Sequence, residues 1–258
     1  MKLRNQAAIV TGAGQGIGKS IALALAREGA AVLLCGRRQE TLEGVAQEIK
    51  QLDGRAVVSV TDVSDEGAVN KMIEFAVSQF GRLDLLINNA GVVGPTAPVT
   101  NVSREDWDEV MAVNLTGPFL CARAAIPHLL EQRAGKIINI SSIAGKMGYA
   151  LRSPYSASKW GLIGLTRTLA LELGPHNIQV NAICPGPVAG PRMQAVIAHR
   201  AKELGQSEAE VERTYVQGTA LKRMVDPEHV AALVVFLCSS DGNSITGEAL
   251  DVSAGYAL

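Results

Sequence analysis

Seven short apolar runs, alternating with stretches of helical spacing, restrict this chain more than any single motif does. Residues 7–11, 31–35, 56–60, 83–88, 136–141, 178–184 and 249–252 read as strands. Residues 7–11 and 31–35 are apolar almost without a break, as expected of parallel strands covered on both faces. Between them, amphipathic patterns predict helices over 17–28, 39–52, 66–80, 103–132, 155–173 and 227–237. Such alternation predicts an α/β fold, a doubly wound (Rossmann) and mostly parallel seven-stranded sheet with helices on both faces. Any ligand is then expected at the carboxyl ends of the strands. No internal repeat, low-complexity tract or linker interrupts the 258 residues, so a single domain over 1–258 is expected.

Charge excludes some partners. With 24 basic and 25 acidic residues the net charge is −1, which gives no reason to expect nucleic acid or an anionic membrane as partner. Met1-Lys2-Leu3-Arg4-Asn5-Gln6 leads directly into the first strand, without the apolar core and cleavage site of a signal peptide. No uncharged apolar run reaches the roughly 18–20 residues needed to span a bilayer. Cys35, Cys121, Cys184 and Cys238 are scattered, with no paired metal spacing, and read as buried thiols in a reducing cytoplasm. No metal is expected.

The first strand ends in Thr11-Gly12-Ala13-Gly14-Gln15-Gly16-Ile17-Gly18 and opens the first helix. Glycines there let the backbone turn tightly and approach a pyrophosphate, which the helix N-terminus attracts. The second strand ends in Cys35-Gly36-Arg37-Arg38. An acid at that place would bind the ribose 2′-hydroxyl of NAD, whereas arginine accommodates a 2′-phosphate. Gly36 stands where the acid would be, and two guanidiniums follow, which favours NADP and keeps NAD as the alternative.

Tyr155 and Lys159 are spaced i, i+4, so a helix places both on one face. A phenol keeps its proton up to about pH 10, and bringing that near neutrality requires roughly 3–4 kcal/mol. An ammonium about 4–5 Å away, at an effective dielectric near 20, offers an energy of that order. The lysine therefore suffices to prepare the tyrosine for proton transfer. Ser142, thirteen residues before Tyr155, supplies a hydroxyl to hold the substrate oxygen.

These motifs, in this order, resemble the short-chain dehydrogenase/reductase family in its single-domain branch, essentially end to end. Thr11–Gly18 is similar to the family's TGxxxGxG loop, which implies cofactor contacts from Gly12, Gln15, Gly16, Ile17 and Gly18. Asp62-Val63 matches the pair that contacts adenine, and Asn88-Asn89-Ala90-Gly91 matches the NNAG turn bordering the cofactor. Asn114 matches the asparagine that holds a water in the proton relay, and Ser142, Tyr155 and Lys159 complete the catalytic tetrad. Lys159 is also expected to bind the nicotinamide ribose, and Tyr155 to border the nicotinamide. Pro185-Gly186 matches the turn beside the nicotinamide, where glycine permits an unusual backbone angle. The family often continues V-x-T, but Val188-Ala189-Gly190 has glycine for the threonine, so Val188 is left to contribute through its backbone. Asn114 also lies inside a long helical stretch, where Asn is a weak helix former, and so points to a local distortion.

The resemblance implies reversible hydride transfer between a nicotinamide cofactor and a secondary alcohol or ketone, with 3-oxoacyl thioesters as one substrate class. A nucleotide-binding regulator without turnover is the alternative from another class; the intact Ser142, Tyr155, Lys159 set opposes it. An enoyl reductase is disfavoured by the four-residue Tyr-to-Lys spacing. Residues 187–219 break the strand–helix rhythm and resemble the family's variable substrate lid. Lys146, Arg152 and Arg192 are expected near its mouth, which suggests an anionic substrate. The resemblance also implies a homotetramer or homodimer built on the helices at 103–132 and 155–173.

Overall fold

The computed structural model describes residues 1–256. Its strands are β1 (Ala7–Thr11), β2 (Ala31–Gly36), β3 (Ala56–Val60), β4 (Leu85–Asn88), β5 (Gly135–Ile140), β6 (Ile178–Pro185) and β7 (Ala249–Val252). The helices are α1 (Gly16–Arg27), α2 (Gln39–Gln51), α3 (Glu66–Phe80), α4 (Arg104–Met111), α5 (Gly117–Gln132), α6 (Ser153–Leu173), α7 (Pro191–Leu204), α8 (Glu208–Gln217) and α9 (Pro227–Cys238). All strands pair in parallel in one sheet, ordered β3-β2-β1-β4-β5-β6-β7. The chain therefore winds outward from β1 to one side, then crosses back to β4. That reversal opens a crevice at the carboxyl ends of β1 and β4, where a Rossmann sheet takes its ligand.

Alternate residues of each strand feed two cores. Ala8, Val10, Val32 and Leu34 pack with Ile21, Leu25, Leu42, Ile49, Val230 and Val234 from α1, α2 and α9. Ile9, Leu33 and Leu86 pack on the other face with Val69, Met72, Leu120, Leu129 and Leu169 from α3, α5 and α6. Burial on both faces accounts for the unbroken apolar runs of the sequence.

The helix expected over 103–132 is divided. A π turn, Ala112–Thr116, separates α4 from α5, and Asn114 lies within it, fully buried. Pro118 cannot donate the N–H that an unbroken helix would return to the Asn114 carbonyl. The joined run Arg104–Gln132 is long and apolar enough by composition to cross a membrane; here Leu120, Cys121, Ala125 and Leu129 are core residues of the sheet. Residues 187–219, which break the strand–helix rhythm, carry two helices, α7 and α8, parted at Gly205, whose φ is +64°. They share a small core of Val196, Ile197, Ala201, Val211 and Tyr215.

Candidate active site

The glycine turn after β1 is held by contacts that leave no room for a side chain at Gly12, Gly14 or Gly18. A Cβ on Gly18 would lie 2.2 Å from the Gly12 carbonyl oxygen and 2.4 Å from Asn89 Nδ2. Gly12 and Gly16 have φ of +67° and +54°, and a Cβ on Gly16 would meet no protein atom within 4 Å. Gly16 thus presents bare backbone at the start of α1, the arrangement a pyrophosphate requires. Asn89 braces the turn by donating Nδ2 to the Thr11 carbonyl at 2.8 Å, and Thr11 Oγ1 accepts the Asn89 and Ala90 N–H groups at 2.9 and 3.0 Å. The cradle fits a dinucleotide's phosphates.

At the end of β2, Gly36 carries no carboxylate, and Arg38 reaches back to donate to Gln15 Oε1 at 2.7 Å. Asp62, after β3, accepts from the Ser64 hydroxyl and N–H; these bonds, with Arg37 beside them, hold it below the usual carboxylate range. Gly12, Gln15, Gly16, Ile17, Gly18, Arg37, Arg38, Asp62, Val63, Asn89, Ala90, Gly91, Ser142, Tyr155, Lys159, Pro185, Gly186 and Val188, all expected from the sequence, line one cavity of about 390 Å³. That volume is in the range of small-molecule sites.

Ser142 caps the short turn after β5, its hydroxyl accepting the Ala144 N–H at 3.1 Å. Tyr155 and Lys159 follow on the first turns of α6, and Lys159 Nζ lies 5.8 Å from the Tyr155 ring centre. Lys159 is 3% exposed and donates to the Ile140 carbonyl at 2.8 Å. Burial first, and Arg192 second, lower its pKa to about 7. The burial that aims the ammonium at the phenol also strips it of water, so its charge depends on what else enters the cavity.

Asn114 is absent from the cavity wall. Its amide donates to the Val92 carbonyl at 3.0 Å and to Ser158 Oγ at 3.2 Å, while its Oδ1 accepts the Val92 N–H at 2.8 Å. The side chain is thereby committed, and Pro118 has no N–H to offer the Asn114 carbonyl.

Three expectations need correction. Gly186 has no positive φ; a Cβ there would come within 2.8 Å of Ser253 Cα, so close packing and not an unusual backbone angle requires glycine. Lys146 does not face the cavity but pairs with Asp251 at 2.7 Å and with the Ala249 carbonyl. Arg152 lies not at the mouth but inside, 2% exposed. Val188 keeps its expected backbone role open. The Pro187 carbonyl and the Ala189 N–H bond Val225, so Val188's own N–H and C=O point the opposite way along that short parallel bridge. Tyr149, Tyr215 and Tyr256 also line the cavity, and no pattern in the sequence announced them.

Comparison with known proteins agrees with this geometry. The short chain dehydrogenase family description matches residues 6–202. The 3-oxoacyl-acyl-carrier-protein reductase of Thermotoga maritima is 35% identical over 258 residues, covering 100% of both chains. A crystal structure of an NAD⁺-bound xylitol dehydrogenase superposes with a TM-score of 0.96 at 33% identity, over 99% of this chain and 100% of that one. An actinorhodin polyketide ketoreductase with NADPH superposes with a TM-score of 0.93 at 34% identity, over 97% and 96% of the two chains. The chain belongs to the short-chain dehydrogenase family. It is an NAD(P)-dependent oxidoreductase that moves hydride between a nicotinamide cofactor and an alcohol or ketone.

Proposed function

We propose that this chain is an NADP-dependent ketoreductase and alcohol dehydrogenase for a small secondary alcohol or ketone bearing negative charge. The observation that carries the reading is the convergence of Ser142, Tyr155 and Lys159 on the cavity that the glycine cradle enters. Ser142 would hold and polarise the substrate oxygen, and Tyr155 would give that oxygen its proton in reduction or take it in oxidation. Lys159 would stabilise the phenolate and donate to the nicotinamide ribose. The Asn114 carbonyl would hold a water that returns protons to the site. When bound, the nicotinamide supplies the hydride, so one proton from Tyr155 completes the alcohol. Val188 would hold the carboxamide through its backbone, the role a threonine hydroxyl would otherwise share at Gly190.

NADP is favoured because the ribose end of the cavity offers Arg37 and Arg38 and, at Gly36, no acid to repel a phosphate. Helices α7 and α8 would act as the lid over the substrate. Trp107, Phe119, Trp160 and Leu171 on α4, α5 and α6 are 37%, 42%, 52% and 82% exposed, which supports a homotetramer or homodimer packed through these helices. All four cysteines are buried free thiols, which suits a cytoplasmic location. The test is nicotinamide absorbance followed with a panel of ketones, alcohols and oxo acids and each cofactor in turn. Turnover several-fold faster with NADPH than with NADH supports the reading, and no turnover with either refutes it.

A further inference from the structure

The substrate end of the cavity is cationic and, among the described residues, holds no acid to balance it. Lys159, Arg152 and Arg192 line it, whereas Asp62, the acidic residue of the wall, follows β3 beside Arg37. None of the three cations pairs with a carboxylate among the described residues. Arg152 is the most demanding of them. It donates Nη1 to Thr96 Oγ1 at 2.9 Å and Nη2 to the Val93 carbonyl at 2.7 Å, but its buried Nε has no acceptor. Its charge otherwise meets only aromatic faces, with Cζ 5.4 Å from the Tyr155 ring centre and 6.0 Å from that of Tyr149. Behind Tyr149, Arg200 repeats the pattern: its Cζ is 5.7 Å from that ring, and its Nη1 is buried without an acceptor.

A buried charge without a counter-charge is expensive, more so beside other charges of the same sign. Tying the 93–96 loop to the start of α6 uses two of Arg152's five N–H donors and leaves its charge without an acid. From this we infer that the substrate brings the missing charge: a short oxo or hydroxy acid whose carboxylate is seated between Arg152 and Arg192. The same ring that carries the Tyr155 hydroxyl lies against the Arg152 guanidinium. The carboxylate therefore sits only a few bonds from the reacting carbon. An acyl thioester has no charge at that position, so free acids are preferred over their esters and thioesters.

This inference rests on the hydride-transfer reading above and names its substrate class. The test compares NADPH oxidation by 3-oxobutanoate and by methyl 3-oxobutanoate in the native chain, Arg152→Gln and Arg192→Gln. The native kcat/KM should favour the acid by roughly tenfold or more, the worth of a charge-assisted hydrogen bond. That ratio should fall by a similar factor in each variant, mainly through KM for the acid, with partial recovery in Arg152→Lys. Arg192 is exposed on the lid, so its variant carries the test if Arg152→Gln melts early. Calorimetry of the NADP-loaded chain with butanoate and with methyl butanoate reads the seat without turnover. Butanoate bound but neither ketone reduced would uphold the seat and refute the hydride-transfer reading. An ester reduced as well as the acid, with butanoate bound no better than its ester, would overturn the seat alone.

Discussion

The two ends of the cavity are built from different materials. The cofactor end is main chain: glycines at positive φ, a helix N-terminus, and polar groups already bonded to one another, as in Thr11, Asn89 and Ala90. The substrate end is side chains brought from distant segments. Tyr149 and Tyr215 meet there hydroxyl to hydroxyl at 2.5 Å although 66 residues apart, and the guanidiniums beside them keep donors unspent. A main-chain cradle is complete before its ligand arrives and, at Gly12, Gly14 and Gly18, has no room for an added carbon. A side-chain pocket retains unpaired charge, which binding can satisfy.

Adding one carbon to the cradle should therefore do the most damage. Gly18→Ala would push a methyl group into the Gly12 carbonyl and Asn89, costing about 1–3 kcal/mol in stability and reducing cofactor affinity at least tenfold. Thermal melting and a cofactor titration check both; normal affinity would mean the turn is not preorganised. A side-chain change at the rim of the same end should switch instead of destroy. Arg37→Asp should move the NADPH-to-NADH ratio of kcat/KM toward NADH by roughly tenfold or more, by analogy with charged hydrogen bonds elsewhere. An unchanged ratio would remove the phosphate reading.

Lys159 in the cofactor-free chain gives an effect spread over several pH units. Its folded pKa of about 7 lies below the ordinary 10.5. Between those values the unfolded chain binds the proton more than the folded one, so this group makes stability rise with pH across that window. Below it the penalty is constant. Lys159→Met should flatten the rise, at about 2–4 °C of Tm for each kcal/mol removed. Melting curves of both chains over that range check it; parallel curves would show that the lysine is not desolvated.

This contrast also explains what the sequence reveals. The strands, the glycine turn and the Asn88–Gly91 turn are short contiguous runs, so local spacing reports them directly. Asn114 disclosed its distortion because Asn is a weak helix former, yet its bonds to Val92 and Ser158 depend on tertiary packing. Arg152, Arg192, Tyr149, Tyr215 and Tyr256 converge only through the fold. For that reason Arg152's burial and Lys146's diversion to Asp251 were not legible. The split of α7 from α8 is signalled by Gly205 and by the Ser207-x-x-Glu210 capping box that opens α8.

The proposed function depends most on a cation held against the Tyr155 ring preparing its hydroxyl to give and take the proton of hydride transfer. The direct measurement is single-turnover NADPH oxidation by Tyr155→Phe, with NADPH affinity measured on the same sample. The hydride-transfer rate should fall by about 10²–10⁴-fold, the usual worth of a general acid, with affinity changed by no more than a few-fold. A variant that transfers hydride at the native rate would contradict it.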